Sequence, residues 1–249
     1  MAYLRCEYRS ELLGMSSSFI ASLPDTGDLS RVPVLYLLHG LSDNCTGWTR
    51  YTSVHRYAFN HNVAVIMPEV QRSFYTDMAL GTEYFTYVSE DLPLFCHHAF
   101  GLSRERSLNY VGGLSMGGYG ALKCALRKPE QYSSCMSFGA VTDFPDRVAR
   151  TEGRERREMQ AIVGVDGKVP ESEDLFALLQ KSRGDALPRF YMTCGEQDEL
   201  YAENDRFARA LADKGADVRF EHWTGAHTWD MWDRSVMQAM DYFFGGDAE

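Results

Sequence analysis

Loose alternation of apolar and polar residues over Tyr3–Arg9 and Leu12–Leu23, both rich in β-formers, predicts an antiparallel pair that closes at Pro24. Pro24-Asp25-Thr26-Gly27-Asp28 reads as a turn. Val32–Leu38 is apolar at almost every position, as a central strand covered on both faces must be, and Val63–Met67 repeats the pattern. Between them, Cys45–Asn60 is long enough to supply a crossover helix, which makes a βαβ unit.

The rhythm continues. Thr82–Phe100 places Tyr84, Phe85, Val88, Leu92 and Phe95 near a 3.6-residue period, with Pro93 expected to kink that helix or to start a second one capped by Asp91. Strands are predicted at Ser107–Val111, Ser133–Phe138, Pro188–Cys194 and Asp217–Trp223. Helices are predicted at Met116–Arg127, Ala202–Lys214 and Trp229–Phe244. Such alternation implies a mostly parallel sheet with helices on both faces. Val141–Ala186 holds no clear strand and is read as a small lid insert within one domain spanning 1–249. Its charge run, Arg147–Glu158, with five Arg and three Glu, reads as a solvated helix face rather than an anion site.

Composition narrows the partners. Lys and Arg total 25 against 35 Asp and Glu, a formal charge of -10, the opposite of what a phosphate-tracking or anionic-membrane protein carries. No run approaches the roughly 20 apolar residues of a membrane helix. The charged opening Met-Ala-Tyr-Leu-Arg-Cys-Glu does not resemble a secretion signal, so a cytoplasmic location is expected. Six scattered cysteines without a CxxC pair suit a reduced chain, and the isolated His97-His98 pair suits no metal. The 14 Tyr, 14 Phe, 4 Trp and 21 Gly hint at a pocket without saying what fills it.

The chemistry begins at Asn109–Ala121, where Gly113-Leu114-Ser115-Met116-Gly117 forms Gly-x-Ser-x-Gly between a predicted strand and a predicted helix. That context places a serine on a strained turn, with the helix N-terminus offering amide donors to an oxyanion; a glycine-rich phosphate or packing turn is the competing reading. A serine nucleophile needs a base, and the base needs an orienting carboxylate. In this architecture the order is Ser, acid, His, and only His222 and His227 follow Ser115. His222 lies within a predicted strand, whereas His227 lies in the loop after it and is taken as the base. Asp198, after the strand ending at Cys194, is taken as the acid, with Asp143 its main rival and Glu196 and Glu199 lesser ones. The second oxyanion amide is expected from Leu41, after His39-Gly40, beside that of Met116; His39 itself reads as structural.

His39-Gly40-Leu41-Ser42-Asp43, Gly113–Ala121, Gly195-Glu196-Gln197-Asp198 and Gly225-Ala226-His227-Thr228-Trp229 resemble, in order, four blocks of the putative-esterase family. That family includes tributyrin esterases, feruloyl esterases, S-formylglutathione hydrolase and the mycolyltransferases. Ser10–Ser16 also looks like the first strand of its tributyrin-esterase members. The resemblance implies an α/β-hydrolase fold and a cofactor-independent serine carboxylesterase with Ser115, Asp198 and His227 at the triad positions. Formylglutathione hydrolases typically carry Leu-Thr-Cys where Leu41-Ser42-Asp43 stands, which argues against that member. Small-molecule acyl esters are the expected substrates, with hydroxycinnamoyl esters second, and Trp48 and Trp229 are expected to line the pocket, alongside Phe74, Tyr75, Tyr84 and Trp232 as further candidates. Acyl transfer is a further alternative, and a non-catalytic binding protein is another, although the latter predicts a broken triad. Exposed apolar surface on the lid or edge strand would allow a homo-oligomer.

Overall fold

The computed structural model describes residues 1–25 and 27–246. Eight strands form one sheet: β1 (Ala2–Ser10), β2 (Met15–Leu23), β3 (Val34–Leu38), β4 (Ala64–Pro68), β5 (Asn109–Leu114), β6 (Ser134–Phe138), β7 (Arg189–Gly195) and β8 (Val218–Trp223). Their spatial order is β1-β2-β4-β3-β5-β6-β7-β8. β2 pairs antiparallel with β1 and β4, and every pairing from β4 to β8 is parallel.

The α-helices among the described residues are α1 (Gly47–Tyr51), α2 (Val54–His61), α3 (Tyr84–Thr86), α4 (Leu92–Phe100), α5 (Met116–Arg127), α6 (Phe144–Ala149), α7 (Gly153–Val163), α8 (Leu175–Lys181), α9 (Tyr201–Asp213) and α10 (Trp229–Phe244). The side chains of β3 sort by parity onto two cores. Leu35 and Leu37 pack with Val54 and Ala58 of α2 and with Val236 and Met240 of α10. Val34, Tyr36 and Leu38 join the opposite core, with Leu122 of α5, Leu92 of α4 and Phe207 of α9. Burial on both faces explains why β3 and β4 read as unbroken apolar runs, whereas β1, at the edge, exposes every second residue.

The structure adjusts several boundaries. β2 begins at Met15 rather than Leu12, because Glu11–Gly14 forms the hairpin turn; the Gly14 amide reaches the Glu11 carbonyl at 3.3 Å with Gly14 at φ 67. The turn expected at Pro24–Asp28 includes Thr26, which lies outside the described residues. Cys45–Asn60 divides into α1 and α2 at Thr52-Ser53, where the Ser53 amide is held by Asp233 of α10 at 2.9 Å. Ahead of Pro93 the chain widens into a π turn at Tyr87–Asp91, and α4 opens at Leu92 with Asp91 at its N-cap position but making no side-chain cap bond. The wider turn accommodates a ring that supplies no N–H and would press on the Ser89 carbonyl of a regular helix.

Val141–Ala186 is helical and strand-free, as expected, and joins β6 to β7. Its charge run faces solvent, as expected, with surface pairs along it: Arg150 bonds Asp146, Arg154 and Arg72 both bond Glu158, and Arg147 bonds Glu155. All six cysteines are free thiols, five of them buried.

Candidate active site

Ser115 occupies the step from β5 into α5 with φ 52 and ψ -115, a left-handed conformation that a non-glycine residue adopts only under constraint. The constraint comes from both sides. The Ser115 amide donates to the Phe138 carbonyl of β6 at 2.9 Å, and the first turn of α5 lies so close to the end of β3 that a Cβ on Gly117 would overlap the Leu38 carbonyl. Glycine at 117 is therefore a condition of the turn, not a flexible joint.

His227 and Asp198 arrive from the ends of β8 and β7. Their two loops are laced together: the Glu196 amide donates to the Trp223 carbonyl at 3.0 Å and the Gln197 amide to the Gly225 carbonyl at 2.9 Å. This lacing sets His227 Nδ1 2.7 Å from Asp198 Oδ2, while Asp198 Oδ1 accepts from the Leu200 amide at 2.9 Å. The Asp198 side chain is 2% exposed and that of His227 33%, so the carboxylate is sealed behind a ring that still faces the cavity. Because Nδ1–H donates to the carboxylate, Nε2 is left as the acceptor, the tautomer a general base requires.

Asp143 stands apart from His227. It caps α6 by accepting the Asp146 amide at 3.1 Å and pairs with Arg206 at 2.5 Å. Glu196 bonds the exposed His222 at 2.9 Å, and Glu199 lines the cavity without reaching the ring.

Ser115 and His227 share a cavity of about 510 Å³ whose wall includes Gly40, Leu41 and Met116. The Met116 amide opens α5, where N–H groups have no acceptor within the helix. The Gly40 loop is held by His39. Val70 N–H donates to His39 Nε2 at 3.2 Å, which leaves the proton on Nδ1, and that group donates to the Gly40 carbonyl at 2.8 Å. Burial of this ring pushes its pKa below the ordinary imidazole value of 6.5, against the pull of Glu69 3.6 Å away. Native His39 therefore stays neutral in a range where the unfolded chain binds a proton. Stability contributed by this site is complete above 6.5 and declines as pH falls below it, by at most about 1.4 kcal/mol per pH unit. Urea midpoints measured across that range should fall less steeply in His39→Gln than in wild type; equal slopes would remove His39 from the account.

These features meet their match among known proteins. The family described as Putative esterase matches residues 10–243. The chain belongs to this family. A curated relative named acetyl esterase, from Caldicellulosiruptor saccharolyticus, is 27% identical over 97% of this chain and 98% of its own length. An S-formylglutathione hydrolase from Bos taurus is 27% identical over 86% of the chain and 83% of its own. The solved structure of the Staphylococcus aureus fluorophosphonate-binding serine hydrolase F superposes with a TM-score of 0.89 at 32% identity, covering 98% of each chain. The esterase thus has the α/β-hydrolase fold and is a carboxylic ester hydrolase of the serine type.

The aromatic residues of the esterase divide differently from expectation. Trp229 lines the cavity, as do Trp232 and Phe74. Trp48 does not. It is fully buried, donates its indole N–H to the Leu38 carbonyl at 3.0 Å and supports Trp229 edge-on from behind at 5.5 Å. Tyr75 and Tyr84 are likewise buried off the cavity.

Two contributors lack any motif. Gly139, at φ 51 after β6, passes so close to Asp198 that a Cβ would stand 2.9 Å from its Oδ2. Asn204 of α9, fully buried, grips the next residue by donating to the Ala140 carbonyl at 2.8 Å and accepting its amide at 3.2 Å. A glycine directly after a core strand was the available sign of the first; Asn204 sits on an ordinary amphipathic helix and left none.

Proposed function

We propose that this esterase hydrolyses short-chain acyl esters through Ser115, His227 and Asp198, with Leu41 and Met116 as oxyanion donors. The observation that carries the reading is a left-handed serine at a helix N-terminus, sharing one cavity with a histidine whose Nδ1 is fixed on a buried carboxylate. His227 Nε2 takes the Ser115 proton as Oγ attacks the ester carbonyl. The Leu41 and Met116 amides meet the charge that develops on the carbonyl oxygen. His227 returns the proton to the departing alcohol, and water, activated by the same ring, then releases the acid from the acyl-serine.

A small acyl group suits a site walled by Leu41, Leu114, Met116 and Val141 and backed by Phe74 and Trp232, both nearly closed to solvent. The full-length relative named acetyl esterase supports the same choice. Hydroxycinnamoyl esters are the second reading, favoured by Trp229 and Trp232 standing at right angles 5.2 Å apart on the cavity wall.

A fluorophosphonate probe is expected to modify Ser115 alone, read by peptide mass spectrometry. p-Nitrophenyl acetate and butyrate should exceed octanoate in kcat/KM by at least about tenfold, with methyl ferulate barely turned over. An unmodified Ser115 would sink the mechanism. Ferulate turnover matching acetate would move the assignment to the second reading.

A further inference from the structure

Between β4 and α3 the chain passes through two consecutive aromatic residues in the left-handed region, Phe74 at φ 50 and Tyr75 at φ 52. Bulky side chains rarely adopt that conformation, and it persists only where the surroundings over-determine it. Here the Tyr75 amide donates to Ser73 Oγ at 3.1 Å, and Lys123 Nζ donates to the Phe74 carbonyl at 3.3 Å. Gly120 of α5 leaves the room that the Tyr75 ring fills, since a Cβ there would stand 2.5 Å from Cδ2.

Lys123 is fully buried in the middle of α5. Its ammonium is bonded to Glu173 of the insert and donates to Thr76 Oγ1 at 2.9 Å. Glu173 also accepts from Arg127 at 3.2 Å. Stability alone is a poor reason for such a cluster, because desolvating buried charges is costly and apolar residues of like volume often serve as well. What the cluster holds leads to the reaction centre. The Phe74 ring is a wall of the cavity, and Tyr75 OH donates to the His39 carbonyl at 2.8 Å.

We infer that the Lys123–Glu173 pair and Tyr75 act together as positioning residues that fix the His39-Gly40-Leu41 backbone, so that the Leu41 amide meets the developing oxyanion. The inference rests on the proposed acyl-serine mechanism, in which Leu41 is an oxyanion donor. None of the three side chains touches substrate; they act through the backbone that they hold. Losing their grip misplaces a donor without removing it, so the expected loss is smaller than that of deleting one.

Tyr75→Phe keeps the ring and removes only the hydroxyl. On p-nitrophenyl acetate it is expected to lower kcat about tenfold with KM within about twofold, short of the about 10²- to 10³-fold that a lost donor costs. Lys123→Met with Glu173→Leu, which removes the charge and keeps most of the volume, should lower kcat comparably; where that pair does not fold, Glu173→Gln replaces it. Adding Tyr75→Phe to either should cost little more than the larger single loss, because both act on one segment of backbone. A folded Tyr75→Phe with kcat within about twofold of wild type, a loss confined to KM, or losses that multiply would overturn the inference. Failure of the underlying reading is seen separately: an unlabelled Ser115 in the fluorophosphonate assay overturns both, whereas a labelled Ser115 with an unaffected Tyr75→Phe overturns the positioning role alone.

Discussion

Ser115→Ala should lower kcat/KM for p-nitrophenyl acetate by at least about 10³-fold while the protein stays folded. The magnitude follows from the site. Without Oγ the remaining machinery can only bind the ester and polarise its carbonyl, and direct attack by water lacks the positioned nucleophile. Folding should be spared because the left-handed turn is imposed by the Phe138 carbonyl and by the packing of Gly117 on Leu38, neither of which involves the hydroxyl. Circular dichroism and Tm close to wild type would confirm that the comparison is fair. Wild-type turnover by such a variant would transfer the chemistry elsewhere, and Ser42 on the same cavity wall would be the next hydroxyl to examine.

Asp198→Asn carries the second large effect, about 10³- to 10⁴-fold in kcat. The side chain keeps its shape, but an amide can turn its NH2 toward His227, which then presents Nδ1 as acceptor and holds its proton on Nε2, where the serine needs a base. The loss is therefore one of tautomer rather than of fold. Asp143→Asn is the informative companion. It removes the charge paired with Arg206 while Asn can still cap α6, and activity should remain near wild type. The reverse outcome, activity lost with Asp143→Asn and kept with Asp198→Asn, would reassign the acid.

The strand-to-helix step at Ser115, the proposed nucleophile, is legible in the sequence because its geometry needs glycine at fixed offsets on either side, and Gly113 and Gly117 stand there. His227, the proposed base, is reached by elimination, since the architecture admits the base only after Ser115 and His222 lies within β8. Asp198 and Asp143 could not be separated with certainty from chain order, since each follows a core strand; the 2.7 Å contact to His227 and the cap on α6 separate them in space. Trp48 departs from expectation for a physical reason: an aromatic residue two positions into a loop helix can face either way, and here the Leu38 carbonyl and the Phe138 ring hold the indole inward. The Lys123–Glu173 cluster has one sign in the sequence: a lysine inside the apolar run Gly-Ala-Leu-Lys-Cys-Ala-Leu has no solvated face to occupy. Its partner was hidden because Glu173 lies in a segment with no strand periodicity to anchor it.

The pairing of Leu38 with Gly113, at the ends of β3 and β5, has a kinetic consequence. The loop after β3 and Ser115 are neighbours in space but are separated in sequence by β4 and its flanking helices, and His227 enters only after β8, at the far edge of the sheet. Contacts closing loops of that length form late in folding. Regained esterase activity is therefore a clock for the final closure of the sheet, running behind any signal from helix content, and a chain stalled short of that closure would hold most of its secondary structure while hydrolysing no ester.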